Sequence, residues 1–210
     1  MGCCNGVLVQ NDTNNLNNKE PEIIEYKNTQ NDQTRNELLV KKKSSLNKSR
    51  TNAEDFDIDA YTNEMLKLHN ELREKHNSPP LSVNIELNDL AGEYAESLAE
   101  KNEKNCQYNV YNGEILGENI FISDSKKAED VFKRILNEKK NYEKDEFDKS
   151  KHYNLTGHFT QAIWKSTTEL GCGFWADKRN KKNYYIVLLY YPAGNILGKF
   201  SENVDIEMKK

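Results

Sequence analysis

Three residues of this chain pair a reactive side chain with apolar surroundings: Glu118 in LGENIF, Glu138 at the end of the Val131–Ile135 stripe, and His158 in GHFTQAIWKST. Two carboxylates and an imidazole are a working set for general acid–base chemistry, and equally for a three-ligand zinc site. They lie 20 residues apart in each direction, a spacing that does not by itself bring them together. Each also has a plainer reading. Glu138 faces water if its helix frays near Asn137, and His158 is a hydrogen-bonded core group if its neighbours satisfy both ring nitrogens.

The elements that must position these residues follow from hydrophobic period. Tyr61, Met65, Leu68 and Leu72 recur at helical spacing after the capping candidates Asp57 and Asp59, and Pro79 and Pro80 stop that helix. A second helix is expected over 88–103, with Leu90, Ala91, Tyr94, Ala95, Leu98 and Ala99 on one face. A third follows Ser125 and carries Ala128, Val131, Phe132 and Ile135; a short strand within 113–123 precedes it. His158, straight after Gly157, stands at the entrance of a further helical segment. Two apolar runs, 170–176 and 184–191, flank the polar DKRNKKN and read as a β-hairpin. Helices first and a hairpin last predict an α+β fold around an antiparallel sheet.

Composition narrows the function classes. The 210 residues carry a net charge of −4, with 30% charged and 36% hydrophobic residues. Acids and bases are mixed along the chain, so a dedicated nucleic-acid binder is not expected. No apolar run approaches the roughly 20 residues of a membrane span. The N-terminus lacks the apolar core of a secretory signal, and the protein is expected not to be secreted. Residues 1–55, rich in Asn, Lys, Glu and Ser, read as a disordered tail ahead of a domain over 56–210. Cys3, Cys4, Cys106 and Cys172 form no dense framework, so reduced thiols are expected, with a Cys106–Cys172 bridge as the alternative.

Four stretches carry a resemblance. GHFTQAIWKST is similar to the signature of the CAP superfamily, which groups cysteine-rich secretory proteins, antigen 5 and pathogenesis-related 1 proteins. HNELR (His69 to Arg73) resembles the first-helix motif of that family, Gly117-Glu118-Asn119-Ile120 its GEN motif, and Tyr190 to Asn195, YYPAGN, its closing motif. All four occur in family order over about residues 60–204. The missing disulfide framework and a lipidatable N-terminus bring the chain closest to the intracellular, Golgi-associated plant pathogenesis-related branch. The resemblance implies a three-layer α-β-α sandwich with a central antiparallel sheet. It also implies a cavity lined by two histidines and two glutamates that binds zinc in several members. By motif, Glu118, Glu138 and His158 supply three of the four. Val110 stands where the second histidine belongs, with Tyr108 or Tyr111 as alternative occupants of that space. Zinc is therefore expected weakly if at all. Ser123 and Ser125 lie where the nucleophile of a family Ser-His-Glu triad would fall, but the base is missing.

The N-terminal MGCCNG offers three acylation points. Gly2 is a myristoylation candidate, although Gly6 replaces the usual Ser or Thr, and Cys3 and Cys4 are palmitoylation candidates. A basic cluster (Lys41, Lys42, Lys43, Lys48, Arg50) is a second membrane signal, and Ser44, Ser45 and Ser49 would make it switchable by phosphorylation. The expectation is a non-catalytic protein held on the cytosolic face of an intracellular or plasma membrane. It binds membrane lipids or sterols, or partner proteins, and self-associates as a homodimer. A metal-assisted or serine-type hydrolase is the alternative.

Overall fold

The structure is a computed structural model that describes residues 50–103, 109–142, 153–180 and 182–205. In chain order the elements are α1 (Ile58–Lys75), β1 (Ser82–Val83), α2 (Ile85–Lys101), β2 (Val110–Tyr111), β3 (Glu114–Ile115) and β4 (Gly117–Ser123). There follow α3 (Ala128–Tyr142), α4 (Tyr153–Ala162), β5 (Glu169–Ala176), β6 (Tyr184–Tyr191) and the short α5 (Phe200–Asn203).

Local chemistry explains most boundaries. The Asp57 side chain accepts from the backbone N–H groups of Asp59 and Ala60, which starts α1. Helix α2 begins earlier than its apolar stripe suggests, because Asn84 caps Glu86 and Leu87. It ends at Lys101, where Asn102 turns left-handed at φ 56°. The segment carrying His158 also starts earlier, at Tyr153, so His158 stands inside α4 and not at its entrance.

The main sheet has the order β1-β5-β6-β4. Its β5–β6 and β6–β4 pairs are antiparallel as expected, while the two-residue β1 joins β5 in parallel. Strands β2 and β3 form a separate hairpin. One face of the sheet (Phe121, Cys172, Phe174, Ile186, Leu188, Tyr190) packs with α1, α3 and α4. The other face (Ile120, Trp175, Tyr185, Val187, Leu189) packs on α2. The result is the three-layer α-β-α sandwich.

Helix α2 lies unusually close to β5, and two glycines make that approach possible. A Cβ on Gly171 would stand 2.4 Å from the Leu87 backbone, and one on Gly173 would stand 2.1 Å from the Ala91 carbonyl oxygen.

The domain reaches back to Arg50, so residues 50–55 do not belong to the tail. Thr51 is buried. Asn52 exchanges two hydrogen bonds with the Ala176 backbone, at 3.0 and 2.6 Å, and Phe56 stacks on Phe174 at 3.9 Å. Positions 1–49, with Gly2, Cys3, Cys4 and most of the basic cluster, lie outside the described residues, as does Cys106. Cys172 carries a free, buried thiol whose pKa burial pushes up to about 12. Among the described residues no helix is long and apolar enough to cross a membrane.

Candidate functional site

Glu138 sits where the Val131–Ile135 stripe points, because α3 continues to Tyr142 and does not fray at Asn137. Its carboxylate turns toward α4. Oε2 accepts from the backbone N–H groups of His158 (2.9 Å) and Phe159 (3.1 Å), and Oε1 accepts from His158 Nδ1 at 2.5 Å. A carboxylate can only accept here, so the Nδ1 proton is on the ring. His158 is buried, with its ring 4.9 Å from that of Phe121 on β4.

A second polar chain runs beneath this pair. Asn119, also on β4, donates through Nδ2 to the His158 carbonyl (3.1 Å) and to the Tyr190 hydroxyl (3.0 Å). Tyr190 in turn meets His69 Nε2 at 2.9 Å, and His69 Nδ1 meets the Met65 carbonyl at 2.8 Å. A carbonyl cannot donate, so Nδ1 carries the proton, Nε2 accepts, and the Tyr190 hydroxyl donates to it. Burial above all, with the Arg73 charge adding to it, lowers the His69 pKa to about 4, against the Met65 bond, which raises it. The ring is neutral at ordinary pH. The stretches HNELR, GENI and YYPAGN thus meet through His69, Asn119 and Tyr190, a meeting that nothing in their sequence separations announces.

The rest of the signature also spends its polar groups on the fold. Gln161 accepts from Gly194 N–H and donates to the Thr167 hydroxyl. A Cβ on Gly117 would come within 2.3 Å of its Oε1, which accounts for the glycine of the GEN segment. Thr160 donates to Asn195 Oδ1, and Asn195 Nδ2 to the Gly157 carbonyl. Arg73 is wholly buried and donates to the carbonyls of Pro79, Ala162, Trp164 and Thr167, tying α1 to the end of α4.

Glu118 does not join the pair. Side chains alternate along a strand, so Asn119 and Phe121 face His158 while Glu118 and Ile120 face α2. There Glu118 accepts from Asn109, through its backbone N–H (2.8 Å) and its Nδ2 (2.9 Å), and from the Tyr94 hydroxyl (3.4 Å). Among the described residues Glu118 thus meets Asn109, while Val110 is 58% exposed and the Tyr111 hydroxyl meets Asn84; Tyr108 lies outside the described residues.

The expected Glu118–Glu138–His158 metal site is therefore not assembled. Among the described residues no group of three or more His, Cys, Asp or Glu is placed to hold a metal ion. Both Glu138 oxygens are already engaged by N–H donors, so this set does not fit zinc. The two candidate nucleophiles are also committed. Ser123 Oγ accepts from Ser125 N–H, and Ser125 Oγ donates to Asp130 at 2.7 Å, at the approach to α3. What the pair can do is fasten α3 to α4.

The chain matches the family model "CAP: Cysteine-rich secretory protein family" over residues 66–191. It is 36% identical over 147 residues to the human "Golgi-associated plant pathogenesis-related protein 1", an alignment covering 69% of this chain and 92% of that protein. It is 30% identical over 139 residues to "Secreted protein RBT4" of Candida albicans, covering 66% of this chain and 36% of that protein. Among solved structures, MpPR-1i aligns with a TM-score of 0.48 at 22% identity, over 67% of this chain and 93% of that one.

Proposed function

Because the chain belongs to the CAP family, the cysteine-rich secretory protein family, we propose that it works as a non-catalytic binding module, held at the cytosolic face of an intracellular membrane by acylation of Gly2, Cys3 and Cys4. The observation that carries the non-catalytic part is the Glu138 carboxylate. It accepts from two backbone N–H groups and from His158, so the pair clamps two helices. A hydrolase needs its base within hydrogen-bond reach of a nucleophile. Ser123 and Ser125 are instead occupied beside α3.

The membrane part draws support from the N-terminal MGCC and from the relative named for the Golgi, which is aligned over nearly its whole length. One acyl chain holds a protein reversibly and two hold it persistently. Membrane lipid is the ligand this reading favours, with a second copy of the chain as its protein partner.

The test has two arms. Mass spectrometry of the N-terminal peptide from cells should find fatty acyl groups on Gly2, Cys3 or Cys4; an unmodified peptide overturns the anchor. The purified full chain should turn over neither ester nor peptide substrates, and a turnover that His158→Ala abolishes overturns the non-catalytic reading.

A further inference from the structure

Helix α2 turns one row of acids to solvent. Glu86, Asp89, Glu93, Glu96 and Glu100 follow at steps of three, four, three and four residues, so they share a single stripe about 21 Å long. Glu86, Glu93 and Glu100 are exposed, and Asp89 and Glu96 are half-buried. The opposite face, with Leu87, Ala91, Tyr94, Ala95 and Leu98, packs on the sheet. Burial raises the Asp89 pKa, Arg50 opposes the rise, and Glu93 and Glu86 add to it, as neighbours in one row must.

Folding alone does not favour such a row. Like charges at these spacings destabilise a helix, and Glu100, in the last turn, also opposes the helix dipole. Outer faces elsewhere mix signs: Lys67 pairs with Glu64 on α1 at 3.1 Å, and Lys133 with Asp130 on α3 at 2.9 Å. The one base of α2 is Lys101, its last residue. Cations beside the row are mostly engaged. Arg50 pairs with Asp59, Arg179 with Asp177 and the Ala99 carbonyl, and Lys178 stands 4.0 Å from Glu100.

The row has an apolar contact at one end and an unpaired donor at the other. Ile85, where α2 begins, leaves 73% of its surface in water. At the far end Glu100 borders a cavity of about 210 Å³ that Trp175, Lys178 and Arg179 also line. Trp175 is only 7% exposed, and its indole N–H has no acceptor. A buried donor left unpaired is costly, and a carbonyl of a bound chain would satisfy it.

We propose that this face of α2 is a docking surface for a lysine- or arginine-rich helical segment of a partner protein. Bases repeating at the same three-and-four spacing on that segment meet the five carboxylates in register. Anionic lipid and nucleic acid are repelled by the same row. Among the described residues no group of His, Cys, Asp or Glu is placed to hold a metal ion, so a bound cation is not its counterpart. The surface does not depend on the acyl anchor.

The test uses the purified full chain and two labelled lysine-rich peptides of one composition. One carries its lysines on a single helical face and the other has them scattered; binding is read by fluorescence anisotropy at low ionic strength. The one-face peptide should bind the more tightly. Glu86→Gln/Glu93→Gln/Glu100→Gln should weaken it roughly tenfold or more, and the charge-matched Glu71→Gln/Glu74→Gln/Glu129→Gln far less. A thermal melt confirms that both triples are folded. Trp175→Phe, which keeps an aromatic ring and removes the donor, should weaken it several-fold; an unchanged value overturns the part given to the indole. Equal losses in the two triples would mean that only net charge matters, and equal or absent binding of the two peptides would mean that no helical register is read. Either result overturns the proposal. So does a change in sedimentation of the chain alone on introducing the α2 triple, since the occupant would then be a second copy.

Discussion

His69 Nε2 and the Tyr190 hydroxyl stand 2.9 Å apart in the interior, joining α1 to β6 through a bond that requires the imidazole to be neutral. Burial holds the His69 pKa down to about 4, against about 6.5 in an unfolded chain. The unfolded state therefore binds a proton between these values that the folded state refuses. The resulting stability is fully present above about pH 6.5 and is lost as pH falls toward 4, amounting to up to about 3 kcal/mol. Urea denaturation at successive pH values should show this slope. It should flatten in His69→Gln, which keeps a polar group but cannot titrate.

Glu138→Ala should destabilise the domain by about 2 kcal/mol, since it leaves the His158 ring and the bonded N–H groups of His158 and Phe159 without their acceptor. Glu138→Gln retains an oxygen for the backbone and should cost less. Chemical denaturation of the two variants beside wild type gives the ordering; equal stability of all three would show that the clamp contributes nothing.

Gly173→Ala places a methyl group 2.1 Å from the Ala91 carbonyl oxygen, a backbone atom that cannot swing aside. Helix α2 must lift from β5, with an expected loss of about 3 kcal/mol or more. Ala at Gly113, where no atom lies within 4 Å of the added carbon but φ is +82°, should cost about 1 kcal/mol from strain alone. Thermal melts of both variants distinguish crowding from strain.

Cell fractionation tests the anchor. Cys3→Ser with Cys4→Ser should move much of the protein to the soluble fraction, and Gly2→Ala should release more if myristate primes palmitate addition. Neutralising Lys41, Lys42 and Lys43 should give a smaller, salt-sensitive release. Wild-type fractionation of the Gly2, Cys3 and Cys4 variant would remove the acyl anchor.

Local pattern alone determined the helices and the β5–β6 hairpin, because period and capping are properties of neighbouring residues, but it left Glu138 open between core and water, which the continuation of α3 to Tyr142 decided. The motif stretches likewise carried the family and, with it, the sandwich. Tertiary structure decided the rest. Strand alternation separates Glu118 from Asn119 in the sequence, but which of the two faces meets α4 depends on how the helices pack, and that put Glu118 beside Tyr94 and Asn109. The two-residue β1 has too little pattern to announce a parallel pairing with β5. Thr51 and Asn52 look like tail by composition, yet Thr51 is buried and Asn52 is held by Ala176, more than a hundred residues away. Contacts at that range are made by the folded chain, and no local spacing encodes them.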